Sequence, residues 1–327
     1  MTSSRRPCAT TRRSTSSAGS PRSASRTAWP AASSGTAPTG PRERPEVTSP
    51  RRIAVVPAYN EEPTVRDVLG KLYGYVDELV VVDDGSTDDT RGEIEKFLAG
   101  RDGARMLVHD VNQGMSEAYY LAFGDLRRRL AAGELSPDDF VYTVDADGQH
   151  ELAVLEDLHR RMHDERLDAL LVQRDLSTYP PYKQVGNWVM STWATIWSGG
   201  VALKDVESGY RIFRLGALAD ALDYYQGYKY SETVEVAIVL SRLGYRVRND
   251  VLVPVPVFRS RTRMKDVVID LAAMPAAAFR VTLRRPKDQP VPSLVPPVLT
   301  SAAIAAAAVA PPLAAVGLLR RRRRSRR

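Results

Sequence analysis

The sequence has very little cysteine: Cys8 is the only one in 327 residues. A disulfide framework within one chain is therefore excluded, which fits a reducing compartment. Residues 1–50 also have almost no large apolar side chains and are rich in Ser, Thr, Arg, Ala and Pro. Such a segment buries too little surface to offset its ordering entropy, so we expect a disordered basic tail there.

A net excess of positive charge is confined to the two ends of the chain, although the formal net charge is +7. Residues 1–50 hold eight Arg and two Glu, and the tail from Arg320 holds seven Arg. Residues 51–319 retain 31 basic and 37 acidic residues, a balance of −6. Because the part that can fold is mildly acidic, no nucleic-acid partner is expected.

Short apolar runs alternate with helical patterns four times between residues 51 and 164. The first two runs predict strands at 53–56 and 79–82, followed by helices from Glu62 and from near Thr87. Strands that alternate with helices predict an α/β fold, in which helices cover both faces of a mostly parallel sheet.

Polar motifs follow the predicted strands at the point where each strand ends. They are Tyr59-Asn60, Asp83-Asp84, residues 112–114, and the pair Asp145 and Asp147. Because the carboxyl ends of parallel strands meet at one edge of a sheet, ligands gather there. The coincidence of all four motifs predicts a single polar site at that edge.

Asp145 and Asp147 stand two apart after an apolar run, so their side chains share one face of an extended chain. A calcium loop is excluded, because His150 occupies the position of the turn glycine and a strand precedes the loop. An acidic helix N-terminus explains one carboxylate but not a second acidic pair at the same edge. A divalent metal that binds a diphosphate explains both pairs.

The motifs VVPAYNEE, VVDDGSTDDT, VDADGQH and DVESGYRIFR, in this order, resemble those of inverting family-two glycosyltransferases with the Rossmann-like GT-A fold. The resemblance covers residues 52–265. Within that family the chain is most similar to polyprenyl- or dolichyl-phosphate sugar (mannose or glucose) synthases, whose metal motif is also Asp-x-Asp-x-Gln-His. It implies transfer of a sugar from a GDP- or UDP-linked donor to a polyprenyl phosphate, with Mg²⁺ or Mn²⁺.

The resemblance also implies roles for individual residues on the donor side. The nucleotide pocket would be lined by Pro57, Tyr59, Asn60, Glu61 and Asp83, with Asp84, Ser86 and Gly114 beside them. Asp145 and Asp147 would bind the metal, and Gln149 would either add a ligand or hold the second carboxylate. The cation would neutralise the charge that develops on the departing diphosphate.

On the acceptor side, the resemblance implies binding roles for Ser208, Arg259 and Lys265, and Arg174 matches a family arginine that binds either the donor phosphate or the acceptor. Lys183 would help to position a lipid phosphate. Thr262 and Met264 stand where the family usually has Gly and Ser. A phosphate acceptor is already ionised and needs positioning more than a base. A hydroxyl of a polysaccharide, glycolipid or small molecule would need a carboxylate base, for which Asp205 is the candidate. The other interpretation of the Asp205 motif is a turn held by an Asx-type hydrogen bond.

We expect five segments in this chain. They are the tail 1–50, the catalytic domain 51–265, an amphipathic segment 266–285, a Pro-rich linker 286–300 and an apolar membrane-associated segment 298–327 with an Arg-rich end. The last segment favours an interfacial or re-entrant anchor on an anionic membrane, at its cytoplasmic face. Trp188, Trp193 and Trp197 fit either a core or that interface.

Two other functional classes are compatible with an α/β sheet. A dinucleotide oxidoreductase would have G-x-G-x-x-G after its first strand, where this chain has PAYNEE. A nucleotide-binding module without catalysis would differ only in lacking donor hydrolysis and transfer.

Overall fold

The computed structural model describes residues 49–177, 179–226, 231–254 and 264–284, of which 264–266 by their backbone only. Within these ranges the strands are Arg52–Ala58 (β1), Glu78–Asp84 (β2), Ala104–His109 (β3), Phe140–Thr143 (β4), Ala169–Arg174 (β5), Arg211–Arg214 (β6) and Val247–Val253 (β7). The helices are Val65–Tyr73 (α1), Thr90–Leu98 (α2), Met115–Ala131 (α3), Leu155–Asp164 (α4), Pro181–Trp197 (α5), Leu215–Leu222 (α6), Glu232–Leu243 (α7) and Met264–Arg284 (α8).

The strands form one sheet in the order β3-β2-β1-β4-β6-β5-β7. Every neighbouring pair is parallel except the two that involve β6, which runs antiparallel to β4 and β5. The chain moves outward from β1 through β2 to β3 and then returns to β4 on the other side of β1. This reversal opens a crevice at the carboxyl ends of β1 and β4, where ligands of such sheets bind.

Both faces of the sheet are covered, as the continuous apolar strands predict. Ile53 and Val55 of β1 belong to a core shared with α3, α5, α6, α7 and α8, whereas Ala54 and Val56 belong to a core shared with α1, α2 and α4. The alternation follows from the two-residue period of a strand. The structure therefore confirms an α/β fold with a mostly parallel sheet.

The elements differ from the predicted bounds at the edge where the polar motifs lie. Strand β2 continues through Asp84, so the acidic pair ends the strand and does not lie in a turn. Helix α2 begins at Thr90, three residues after the predicted start, since the Asp88 carboxylate accepts from the backbone N–H of Thr90 at 3.1 Å. Helix α1 likewise begins at Val65 and not at Glu62. Local side-chain bonds to the backbone compete with the first helical turn.

Helix α8 packs on α5 and α7 through a stripe of buried side chains: Ala273, Met274, Ala277, Ala278 and Val281. The indole N–H of Trp193 donates to the carbonyl of Leu271 at 2.9 Å, and Trp193 packs edge-on against Trp197. None of the helices in the described ranges is long and apolar enough to span a bilayer. The predicted tail, linker and membrane-associated segment lie outside those ranges, apart from Ser49 and Pro50.

Candidate active site

The loops after β1 and β2 are joined by hydrogen bonds at the carboxyl edge. Asn60 has a left-handed backbone, with φ of 54°, and its Oδ1 accepts from the N–H of Thr87 at 2.8 Å. The Asn60 N–H donates to Ser86 Oγ at 3.1 Å, and the Glu61 N–H donates to Thr90 Oγ1 at 2.8 Å. Asparagine adopts this conformation more readily than most residues, which explains its place here. Four of the predicted donor-side positions, Asn60, Glu61, Ser86 and the exposed Tyr59, thus lie in one connected wall.

Asp83 and Asp84 are both buried, and their hydrogen bonds give them different surroundings. Asp83 accepts from the Ser86 N–H at 3.2 Å and from Nε of Arg91 at 2.7 Å. The side chain of Arg91 is 42% exposed, so it presents a guanidinium beside a fully buried carboxylate. The sequence analysis missed Arg91, which lies one residue past the quoted DDGSTDDT motif.

Asp84 organises the loop that leads into α3. Its carboxylate accepts from Nδ2 of Asn112 at 3.0 Å, from the N–H of Gln113 at 2.9 Å and from the N–H of Gly114 at 2.8 Å. Nδ1 of His109 lies 2.7 Å from the same carboxylate. Gly114 has a φ of 97°, which only glycine adopts easily. Asp84 therefore fixes the shape of this loop, and Gly114 lies in the wall of the crevice through it.

Asp145 lies directly after β4, partly exposed, between a tyrosine and a histidine. The hydroxyl of Tyr119 donates to it at 3.4 Å, and burial, together with the Asp145 charge, raises the pKa of Tyr119 so that this proton is kept. Nδ1 of His150 accepts from the Asp145 N–H at 3.2 Å, which leaves the ring proton on Nε2, 3.4 Å from the carboxylate. His150 also stacks on Tyr210 with ring centroids 4.7 Å apart. Asp145 is thus held in place by packed rings.

Asp147 is held by Gln149, as one of the two interpretations of that glutamine predicted. Its oxygens accept from the Gln149 N–H at 3.0 Å and from Gln149 Nε2 at 2.7 Å. The amide therefore orients the carboxylate from the side and keeps the Asx-type loop rigid.

The two carboxylates fit a divalent cation of the Mg²⁺ or Mn²⁺ type. Among the residues that the structure describes, no group of three or more His, Cys, Asp and Glu side chains could hold a metal ion by itself. Magnesium commonly takes one or two carboxylates and completes its octahedron with water and substrate phosphates. Asp145 is 23% exposed and its contacts come from neutral donors, so its charge is available to a cation.

Gly209 brings the acidic loop against the turn that precedes β6. A Cβ at this position would lie 2.9 Å from both carboxylate oxygens of Asp145. The hydroxyl of Thr143 donates to the Gly209 carbonyl at 2.6 Å and so fixes the approach. A glycine is needed here because only its bare Cα leaves room for the carboxylate.

The same turn carries Asp205, which binds Arg174 at the end of β5. Asp205 is 2% exposed, and both of its oxygens accept from the guanidinium, Nε and Nη2 at 2.8 Å each, while the Arg174 N–H adds a third bond at 2.9 Å. Burial acts to lower the pKa of Arg174, but the Asp205 charge and hydrogen bonds outweigh it and raise that pKa. Asp205 is therefore engaged as the partner of Arg174. This geometry does not leave it free to act as the general base that a hydroxyl acceptor would need.

Glu207 and Lys183 lie close to this pair. Glu207 Oε2 is 3.8 Å from Nη2 of Arg174, and burial raises the pKa of Glu207 although Arg174 acts against it. Lys183, in the first turn of α5, is half-buried with Nζ 5.5 Å from the ring centre of Tyr179. The structure thus brings Arg174 and Lys183 to one side of the crevice.

Ser208 lies inside the turn and is 2% exposed, with Oγ accepting from the Tyr210 N–H at 3.4 Å. The turn is held by the buried Arg211, which donates to the carbonyls of Val206 and Ser208 at 2.7 Å and to that of Thr233. The hydrogen bonds that hold this turn thus involve Ser208 and Arg211, while the Asp205 carboxylate binds Arg174 and makes no Asx-type bond among the described residues.

Glu232 is a buried acid near this site that the sequence analysis missed. Its Oε2 has no hydrogen-bond partner among the described residues, and burial raises its pKa to about 7 despite the nearby Arg211. The signal in the sequence is a pair of glutamates in the otherwise apolar SETVEVAIVL, where a solvated helix would have more polar positions.

Of the remaining predicted residues, Arg259 and the side chain of Lys265 lie outside the described residues, and Pro57 is buried in β1.

Comparisons with known proteins agree with this geometry. The model of the glycosyl transferase family 2 matches residues 53–205. An uncharacterized protein of Methanocaldococcus jannaschii is 28% identical over 210 residues, covering 62% of this chain and 81% of that protein. The UDP-N-acetylglucosamine–dolichyl-phosphate N-acetylglucosaminyltransferase of Methanococcus voltae is 26% identical, covering 58% of this chain and 78% of that protein.

Among solved structures, a similar fold occurs in the glucosyl-3-phosphoglycerate synthase of Mycobacterium tuberculosis in complex with Mn²⁺, uridine diphosphate and glucosyl-3-phosphoglycerate. The TM-score is 0.52 at 22% identity, covering 73% of this chain and 86% of that chain. Residues 53–205 thus match the glycosyl transferase family 2 model, the chain has a GT-A fold, and the protein is a glycosyltransferase.

Proposed function

We propose that the protein transfers a sugar, with inversion, from a UDP- or GDP-linked donor to a polyprenyl phosphate, using Mg²⁺ or Mn²⁺ held by Asp145 and Asp147. The observation that supports it best is the turn 205–210. Through Gly209 this turn touches Asp145, and through Asp205 it binds Arg174. An acidic metal-binding wall and a guanidinium therefore face one crevice.

Each side chain has a definite task in this proposal. When bound, the cation would neutralise charge on the leaving diphosphate. Arg174 keeps its charge through Asp205, and its Nη1 has no hydrogen-bond partner among the described residues, so two N–H groups remain for a phosphate. Guanidinium binds phosphate oxygens with a fixed fork geometry, which orients the acceptor oxygen for attack. Such an acceptor needs positioning and no base.

Similarity to a dolichyl-phosphate glycosyltransferase supports the lipid acceptor, which would place the reaction at a membrane surface, on the cytoplasmic side. Three apolar side chains of α5, near Lys183, are exposed: Tyr182 by 72%, Val185 by 55% and Val189 by 43%. An exposed apolar stripe beside a basic side chain is suited to contact with an anionic bilayer.

Transfer to a hydroxyl is the second candidate, and Glu232 favours it. A buried carboxylate with an unpartnered oxygen and a pKa near 7 is suited to accept a proton. The turn residue Asp205 is engaged with Arg174, so a hydroxyl acceptor would depend on Glu232 or Glu207 instead.

The two candidates differ in the response to Glu232→Gln. The purified full chain would be supplied with Mn²⁺, a panel of UDP- and GDP-sugars, and either a short polyprenyl phosphate or hydroxyl acceptors, with products identified by mass spectrometry. With a phosphate acceptor we expect Glu232→Gln to retain transfer within a few-fold. Loss of about 10²–10⁴-fold, the usual effect of removing a general base, would contradict the phosphate acceptor.

A further inference from the structure

The edge strand β7 contains an irregularity next to the candidate site. Leu170 of β5 pairs with Arg248 and Val172 pairs with Val251, so β5 advances by two residues while β7 advances by three. This is a β-bulge, and Leu171 has no partner on β7 in the register. Bulges turn side chains away from the direction that a regular strand would give them, often beside active sites.

Asn249 lies in this bulge, and its side chain is 5% exposed. Nδ2 donates to the Leu171 carbonyl at 2.7 Å, on the β5 residue that the register skips. Oδ1 accepts from the N–H of Lys204 at 2.6 Å and lies 3.4 Å from that of Asp205. Only this orientation of the amide is consistent with one carbonyl and two N–H groups, so the assignment of oxygen and nitrogen is determined by the contacts.

We infer that Asn249 is a positioning residue for Arg174, acting through Asp205. The amide fixes the backbone of Lys204 and Asp205 to the sheet, and the Asp205 carboxylate holds Arg174 by three bonds, two to the guanidinium and one to the backbone N–H. The Gln173 side chain donates to the backbone carbonyl of Asn249 and so locks the bulge from β5. The edge strand β7 thereby determines the position of the Arg174 guanidinium, the group that binds phosphate in the proposed function.

The chain offers a matched control at the amino end of the central strand β4, away from the carboxyl ends where the candidate site lies. Asp139, before β4, is 2% exposed and accepts from the N–H of Arg51 at 2.9 Å and of Ser136 at 2.8 Å. Asn249→Ala and Asp139→Ala each remove a short buried side chain that receives backbone N–H groups. Both should therefore lower the melting temperature, which separates a general loss of stability from a specific effect on Arg174.

The first readout does not depend on activity. In the NMR spectrum of the full chain, the Arg174 Nε–H resonance should shift and exchange faster in Asn249→Ala, and the amides of Lys204 and Asp205 should lose protection. In Asp139→Ala these three signals should stay as in wild type. Unchanged Arg174 and Lys204 signals in Asn249→Ala would overturn the inference.

The second readout is a double-mutant cycle in the transfer assay. We expect Asn249→Ala to lower kcat/KM by about tenfold or more, because small displacements of a positioning group are costly. In an Arg174→Gln background the same change should cost no more than about twofold, since the group it positions is gone. Equal losses in both backgrounds would overturn the inference. If the wild type transfers no sugar, the proposed function fails, and the NMR comparison still decides whether Asn249 positions Arg174.

Discussion

The two halves of the sheet hold their charged residues in different ways. In the first half, β1 to β4, the carboxylate of Asp147 is held by Gln149 of its own loop, and that of Asp83 by Ser86 and Arg91 of the segment that follows β2. In the second half, β5 to β7 with α5, α7 and α8, charged groups meet across long stretches of chain. Arg174 binds Asp205, 31 residues away, and Arg280 binds the fully buried Glu235, 45 residues away. These carboxylates of the first half are thus held by residues close in sequence, whereas these ion pairs of the second half are buried and join segments far apart in the chain.

The difference has an energetic consequence. A partly exposed carboxylate in a rigid loop contributes little to stability, whereas removing one partner of a buried pair leaves a charge without compensation. Substitution of a partly exposed carboxylate in the loop after β4 should therefore change activity and leave stability intact. Substitutions in the buried pairs of the second half should change stability as well.

Asp205→Asn should have the largest effect. We expect the free energy of unfolding to fall by about 3–5 kcal/mol, because the Arg174 guanidinium loses its charged buried partner. Urea denaturation followed by circular dichroism measures this. Asp250→Asn, which breaks the exposed pair with Arg161, is the control and should cost less than about 1 kcal/mol. Equal costs would contradict the contrast between buried and exposed pairs.

Glu232→Gln should change how stability depends on pH. The pKa of Glu232 rises from 4.5 to about 7 on folding, so the folded state holds this proton more tightly than the unfolded state does. The wild type should therefore lose stability as pH rises from 4.5 to about 7, by roughly 3 kcal/mol from this group. The variant should lack that loss. Its free energy of unfolding should therefore exceed that of the wild type by more at pH 8 than at pH 5.

The control for that experiment is Glu134→Gln, whose side chain is 59% exposed. Its stability should follow the wild type at both pH values. A Glu232→Gln variant that also follows the wild type would show that this carboxyl titrates normally in the folded protein.

Asp147→Asn should lower transfer by about 100-fold or more, or about 2.7 kcal/mol, because it removes a charged ligand from the proposed metal site. Stability should change by less than about 1 kcal/mol, since the loop is exposed and the Gln149 amide can turn to pair with the new side chain. Steady-state kinetics, Mn²⁺ calorimetry with UDP and thermal unfolding measure these effects. Near-wild-type turnover with unchanged Mn²⁺ affinity would remove Asp147 from the metal site.

Gly209→Ala should have the smallest effect and connects the two halves. The new Cβ would displace the Asp145 carboxylate, 2.9 Å away, so we expect transfer to fall by about tenfold with little change in stability. Gly186→Ala in α5, where nothing lies within 4 Å of the new Cβ, is the matched control. It should keep full activity and gain up to about 1 kcal/mol of stability from helix propensity. Equal activity in both variants would contradict the contact.

Most of the first half was predictable from local pattern. Apolar runs of strand length predicted β1, β2 and β4, and the polar residues after each run predicted where Asp145 and Asp147 lie. The helix starts at Glu62 and Thr87 were placed too early, because side-chain bonds such as that of Asp88 to Thr90 hold the residues before each helix in a turn. The hydrophobic pattern of a sequence does not show where such side-chain bonds compete with the first helical turn.

The sequence by itself determined the alternation of strands and helices and the carboxylates at the strand ends, because both follow from side-chain periodicity over a few residues. The tertiary structure decided that β6 runs antiparallel, that Asp205 is taken by Arg174, and that Asn249 reaches Leu171 from 78 residues away. Those pairings depend on which distant segments of the chain are brought together by folding. A polar side chain in the sequence shows what it can bind, and only the packed sheet selects its partner.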